Sequence, residues 1–187
     1  MAENHAGIRI RPVCTGDAEF LCGIMNCPSV LQALNEVPTE LQDWTDAIRE
    51  WSRDDDEEDC IILENETPIG CLGVNGLLNG DQAVYLKMAA IIPERQGRGF
   101  GTQAIRILMD DLKRRGFERM ILFTDRDNAS AQACYAKCGF RIAESLAETM
   151  SNGKNVQRYR MEACLERLMP PLFQNESART VPNDSFH

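Results

Sequence analysis

Histidine is almost missing from this chain of 187 residues: His5 and His187 are the only two, one near each end. Their scarcity argues against a Ser-His-Asp or Cys-His nucleophilic centre and against a histidine-ligated catalytic metal. Long apolar runs are missing too. No stretch approaches the roughly 18 residues of a membrane span, and Met1 to Arg11 lacks the apolar core of a signal peptide, so a cytoplasmic protein with no membrane contact is expected. Eight cysteines, at 14, 22, 27, 60, 71, 134, 138 and 164, include no C-x-x-C pair, which leaves a zinc ribbon or thioredoxin-like site nothing to stand on. They read as reduced thiols, several of them in the core. Cys134 and Cys138 sit four apart on a helical stretch but have no further ligands, and no metal is expected. Basic residues are in deficit. A net charge of −9 disfavours nucleic acid as a partner.

What remains is ordinary for one globular domain, with 43% apolar and 26% charged residues and no internal repeat. The charge is unevenly spread. Between Glu94 and Arg119 seven bases face four acids, so that window is +3 and the remainder −12. A local positive field suits a phosphorylated ligand, and an acidic remainder suits a cationic amine.

Ile8 to Arg11 alternates as a strand ended by Pro12, and Thr15 or Asp17 can cap a helix running to about Met25. Short helices follow over Val30 to Leu34 and from about Thr39 to Trp51. The acidic run Asp54 to Asp59 reads as an exposed loop, because six like charges repel and stay solvated. Strands are expected over Cys60 to Leu63, Ile69 to Val74, Val84 to Ile92 and Arg119 to Thr124. A closing hairpin, Phe140 to Leu146 and Val156 to Ala163, turns at Ser151-Asn152-Gly153-Lys154. The domain is expected to span 1–166, and the polar tail 167–187 to be disordered.

The chain is organised around Gln96-Gly97-Arg98-Gly99-Phe100-Gly101-Thr102. This stretch follows a strand and opens into a helix with Ala104, Ile105, Leu108, Met109 and Leu112 on one face. Glycines let the backbone turn tightly, and the first amides of a helix, at the positive end of its dipole, cradle an anion. A Walker A loop fails for want of Lys-Ser/Thr after Gly99. Gly99 to Ala104 formally fits the dinucleotide string G-x-G-x-x-G/A, but Pro93 to Gln96 separate strand from glycines. Gln96-x-x-Gly99-x-Gly101 instead resembles the Q/R-x-x-G-x-G/A pyrophosphate loop of the GNAT superfamily of acyl-CoA N-acyltransferases. A second segment, Asn128 to Phe140, resembles that superfamily's N-x-x-A-x-x-x-Y-x-x-x-G-F signature at every fixed position: Asn128, Ala131, Tyr135, Gly139 and Phe140. The resemblance covers roughly Ile8 to Leu165 and is strongest from Tyr85 to Arg141.

The resemblance implies an α/β (α+β) GNAT fold, a mixed, mostly antiparallel sheet of about seven strands flanked by helices, with a splayed parallel pair at the cofactor site. It implies acetyl-CoA as co-substrate. Its pyrophosphate would lie on Gln96, Gly97, Arg98, Gly99, Phe100, Gly101 and Thr102, and its pantetheine would pair with the main chain at Ala89, Ala90 and Ile91. Asn128 would bond the cofactor arm, and Ala129, Ala131 and Ala133 would leave room beside it. Backbone amides of Ala89 to Ile91 would serve the oxyanion, and Tyr135 would be the general acid, its phenol pKa of about 10 lying above a thiol's 8.5 or so. Relatives carry a basic carboxylate at positions falling on Tyr85 or Phe123; neither is one here, which leaves Glu36, Asp125 or Tyr159 through water, or no dedicated base.

The expected activity is N-acetylation of a small primary amine or amino acid by direct attack in a ternary complex. Acetylation of a protein N-terminus, a non-catalytic acyl-CoA-binding module and a dinucleotide-binding oxidoreductase are the competing readings. Families of this kind commonly form homodimers, and the oligomeric state stays open. Stabilisation by CoA but not by NAD in a thermal-shift assay is the outcome expected of the GNAT reading; the reverse selects the oxidoreductase.

Overall fold

The computed structural model describes residues 7–34, 36–149 and 153–165. In chain order these build β1 (Ile8–Pro12), α1 (Ala18–Met25), α2 (Pro28–Leu34), α3 (Leu41–Trp51), β2 (Glu57–Glu64), β3 (Thr67–Asn75) and β4 (Ala83–Ile91). Then come α4 (Phe100–Arg115), β5 (Arg119–Asp125), α5 (Ala129–Lys137), β6 (Arg141–Thr149) and β7 (Asn155–Cys164). One sheet takes the order β1-β2-β3-β4-β5-β7-β6, and only β4 and β5 run parallel. This is the expected mixed, mostly antiparallel seven-stranded architecture. Among the described residues no helix is long and apolar enough to cross a membrane. The tail expected to be disordered, 167–187, and the Ser151-Asn152 part of the expected turn lie outside the described residues.

Alternation along the central strands divides the core between two faces. Cys60, Ile62, Leu72, Val74, Val84 and Leu86 pack under the α4 stripe of Ala104, Ile105, Leu108 and Leu112. Ile61, Leu63 and Cys71 pack against Leu21, Ile24, Val30 and Ile48 of the first three helices. Midway along β4 the phase changes. Gly73 pairs with Met88 and Val74 with Leu86, so Lys87 is an extra residue in the ladder, a β-bulge. Beyond it Met88 and Ala90 turn to the α1–α3 face, while Ala89 and Ile91 keep to the α4 face.

The bulge also overturns the expected acidic loop. Only Asp54 to Asp56 precede the strand; β2 begins at Glu57, and Asp59 is buried. Lys87 Nζ lies 2.9 Å from Asp59 Oδ2, 2.6 Å from Glu57 Oε2 and 4.7 Å above the Trp51 ring, while Arg115 holds Glu58 at 2.6 Å. These cations come from β4 and α4, too distant in sequence to be paired with the acids by inspection. Gly73 makes room, since a Cβ there would stand 2.1 Å from Asp59 Oδ1. A second expectation fails at α1. Asp17 stands at its N-cap position, but its carboxylate turns back to both Arg11 guanidinium nitrogens, each at 2.7 Å, and to the Cys14 amide at 2.8 Å. The Arg11 hydrogen bonds hold it down to about 2, against the opposing effect of burial.

Burial raises the pKa of Asp59, with Lys87 opposing the rise. Lys87→Met leaves that carboxylate buried and uncompensated, which should cost about 3 kcal/mol at pH 7. A raised folded-state pKa contributes stability below the unfolded carboxylate value and loses it as pH rises through the folded value. The deficit should therefore shrink on acidification to pH 5 and largely vanish in the Asp59→Asn/Lys87→Met double variant. Urea denaturation at both pH values checks this; a deficit independent of pH would exclude Asp59 as its source.

Candidate active site

Pairing between β4 and β5 runs from Ala83↔Arg119 to Leu86↔Leu122 and stops, although β4 continues to Ile91 and β5 to Asp125. β4 stays bonded to β3 as far as Ile91, and β5 to β7 as far as Asp125. The two strands are thus held by different neighbours as they separate, and a cleft of about 360 Å³ opens between them.

One wall is the glycine loop. Arg95 ties it to Glu64 at 2.7 Å, and the Gln96 side-chain amide donates to the Ile91 carbonyl at 2.8 Å. Gly97 and Gly99 have φ of +72° and +83°, the left-handed region that favours glycine. Gly99 then starts α4 without any side-chain cap on its first amides. Gly101 is different: it is helical, and a Cβ there would make ordinary contacts, 3.6 Å from Cys134 Sγ and 3.7 Å from Ile91 Cγ1.

The opposite wall is the start of α5. Asn128 Oδ1 accepts the Ala131 amide at 3.1 Å as N-cap, and its Nδ2 points to the Ala33 carbonyl of α2 at 3.5 Å. Its side chain is thus held by the protein on both atoms. Ala131 and Ala133 line the cleft; Ala129 does not.

Of the residues singled out from the sequence, Ala89, Ala90, Ile91, Gln96, Gly97, Gly99, Phe100, Gly101, Thr102, Asn128, Ala131 and Tyr135 all line this one cleft. Arg98 does not, and its guanidinium stacks 4.9 Å from the Phe100 ring. Glu36, Asp125, Tyr159, Tyr85 and Phe123 also lie off its wall, and among the described residues no carboxylate lines it. The segment opening at Pro28-Ser29-Val30, which the family resemblance places among the acceptor loops, forms α2 and contributes Ser29, Val30, Ala33 and Leu34 to the wall. Sequence reasoning missed Cys134, which was within reach, one residue before Tyr135 in the same motif.

Tyr135 packs with its ring 5.9 Å from Phe140. Its phenol is pushed up to about 12, first by desolvation, then by the Cys134 and Cys138 sulfurs, with Arg158 opposing. A phenol in that range is a hydrogen-bond donor at neutral pH, and full transfer of its proton to a thiolate of ordinary basicity would run uphill. Cys134 goes the other way, to about 6, through the neighbouring Cys138 thiol and, beyond the opposing cost of burial, through Thr102, Lys137 and Arg106.

The model of the Acetyltransferase (GNAT) family matches residues 27–140. The solved spermidine N-acetyltransferase of Vibrio cholerae, in complex with CoA and spermine, superposes with a TM-score of 0.78 at 21% identity, over 86% of this chain and 97% of that one. N-alpha-acetyltransferase 30 of Schizosaccharomyces pombe is 33% identical over 75 residues, 40% of this chain and 50% of that protein. Mycothiol acetyltransferase of Corynebacterium glutamicum is 28% identical over 96 residues, 51% of this chain and 32% of that protein. The chain therefore spans half or less of the length of these curated relatives.

The two kinds of glycine should respond oppositely in urea denaturation. Gly99→Ala forces a side chain into positive φ and should cost about 1–2 kcal/mol. Gly101→Ala should stabilise α4 by about 0.5–1 kcal/mol.

Proposed function

Because the chain belongs to the GNAT acetyltransferase family, we propose that it moves an acetyl group from acetyl-CoA to the primary amine of a small cationic molecule. The observation that carries the reading is the convergence, in one cleft, of the free edge of β4, the uncapped N-terminus of α4 and the Tyr135 phenol. The residues fit the co-substrate. Amides from Gly97 to Thr102, in the positive field of α4, suit the pyrophosphate. The β4 edge at Ala89 to Ile91 suits the pantetheine amides and the carbonyl oxygen that becomes an oxyanion. Arg98 would contribute through its backbone. Asn128 would position α5 and, with a lone pair and an amide hydrogen still unused, also bond the cofactor arm.

Acetyl-CoA supplies the thioester. The neutral amine attacks the carbonyl carbon, the C–N bond forms, the C–S bond breaks, and the surplus amine proton leaves to solvent. The phenol of Tyr135 donates a hydrogen bond to the departing sulfur. Among the described residues no carboxylate lines the cleft, and the neutral fraction of the amine is expected to govern the rate.

A cationic acceptor is favoured by charge. Thirteen carboxylates against two arginines lie between residues 36 and 66, directly after α2, and even after Arg9, Lys87, Arg95 and Arg115 pair with five of them an excess of seven negative charges is left. Spermidine and spermine, the amines named for the Vibrio cholerae enzyme, are acceptors of this kind. The match to an N-alpha-acetyltransferase supports a second reading, in which the acceptor is a protein N-terminus.

Thiol release from acetyl-CoA across polyamines, amino acids and N-terminal peptides tests this; turnover on peptides alone would select the second reading, and CoA binding without turnover on any of them a non-catalytic module. Tyr135→Phe should lower kcat about 10- to 100-fold while still binding acetyl-CoA; an unchanged kcat removes the phenol from the chemistry. Log kcat/KM should climb with a slope near one towards the amine pKa of about 10, because each unit of pH below it leaves a tenth of the neutral amine. A plateau near pH 7 would reveal a dedicated base.

A further inference from the structure

The acyl-transfer chemistry leaves one reactive group of the cleft unused, the thiol of Cys134. Its Sγ lies 3.3 Å from Thr102 Oγ1 in the first turn of α4. Cys138, one turn further along α5, is buried, and its Sγ lies 3.6 Å from the Thr102 carbonyl oxygen. Cys138 donates its S–H to that carbonyl, and Thr102 thus contacts both thiols. The groups facing Cys134 are Arg106 and Thr102 from α4 and Lys137, Cys138 and Tyr135 from α5. Cations, a hydrogen-bond donor and a helix N-terminus are what stabilise a thiolate. The buried sheet thiols Cys60 and Cys71 are the contrast, pushed up to about 12 by burial. Space matters as much as charge. Cys134 lines the cleft beside Gly101, whose missing side chain leaves the sulfur open there, so a group added to Sγ takes up space within the cleft.

We propose that Cys134 is a modification site, a nucleophilic thiol that hydroperoxides oxidise to the sulfenic acid when the cleft is empty, and that this modification and acetyl-CoA exclude one another. The inference rests on the acetyl-CoA reading of the cleft. In the step, the thiolate sulfur attacks the terminal peroxide oxygen, and an S–O bond forms as the O–O bond breaks. The sulfur loses two electrons to the peroxide, and the departing oxygen takes a proton from Cys138 or water. The coupling is electrostatic as well as steric: a bound pyrophosphate occupies the positive field that stabilises the thiolate, and so suppresses it.

Iodoacetamide labelling of the intact wild-type protein, read by mass spectrometry for each cysteine across pH, tests the nucleophile. At pH 6 the peptide carrying Cys134 should label about tenfold faster than free N-acetylcysteine under the same conditions, since a thiolate-fraction advantage above a hundredfold is largely offset by lower basicity. Its rate should level off near pH 7 while that of the free thiol climbs towards 8.5 or so. A Cys134 profile that follows the free thiol overturns the proposal. Saturating CoA should slow Cys134 labelling at least tenfold and leave Cys14 and Cys164 unchanged. If CoA binds by thermal shift without slowing it, the mutual exclusion is wrong; if CoA does not bind at all, the reading of the cleft falls and the shielding with it. Hydrogen peroxide should abolish CoA binding in proportion to sulfenic acid trapped by dimedone at Cys134, reversibly with dithiothreitol. Cys134→Ser should bind CoA equally before and after peroxide; a loss in that variant places the damage elsewhere.

Discussion

The parting of β4 from β5 beyond Leu86 and Leu122 is the constraint on which the rest of the structure depends. Two parallel strands that stayed paired would satisfy each other's backbone groups and leave no opening in the sheet. Here each keeps its other partner, β4 with β3 and β5 with β7, so separation costs hydrogen bonds along one edge only. That edge becomes an extended donor and acceptor row facing a cleft. The helices leaving the two strands, α4 and α5, begin on opposite sides of the gap and point their N-terminal amides toward it.

The bulge at Lys87 acts on this same strand. It rephases the side chains beyond Leu86, so that Ala89 and Ile91 remain over the α4 core while Met88 and Ala90 cover the other face. The displaced lysine is then available to neutralise the acidic start of β2, where Asp59 would otherwise carry an unpaired charge into the core. One extra residue therefore bends the strand at the mouth of the cleft and makes the acidic strand foldable.

Within the cleft a single electrostatic environment sets two groups in opposite directions. Tyr135, desolvated and beside sulfur, is held above its ordinary pKa; Cys134, beside Cys138, Thr102 and two cations, is held below its own. They are adjacent in sequence, and their difference comes from burial of the phenol and from the donors and cations gathered around the thiol. The acidic stretch from 36 to 66 adds a field of opposite sign to that of the glycine loop, which on the proposed function would set an anion site beside a cation-attracting surface.

Period and punctuation were legible in the chain. The α4 stripe ended by Gly116, the near-continuous apolar runs of the central strands and the two turn-and-motif segments all reported their local structure, because each is fixed by contacts within a few residues. The glycine loop and the Asn128-to-Phe140 segment also pointed to one shared cleft, and of the residues singled out in them for the cofactor and the chemistry only Arg98 and Ala129 lie off its wall. Nothing local could show that Asp59 is buried or that Asp17 answers Arg11 in place of its helix, since in each case the deciding partner arrives by folding. The sequence by itself determined the elements, their order and the anion-binding loop, through backbone sterics and hydrophobic periodicity. Only the tertiary structure decided where the sheet opens, which charges meet, and that a thiol four residues from its partner lies against the first turn of α4, because those depend on strand register and on distances between segments far apart in the chain.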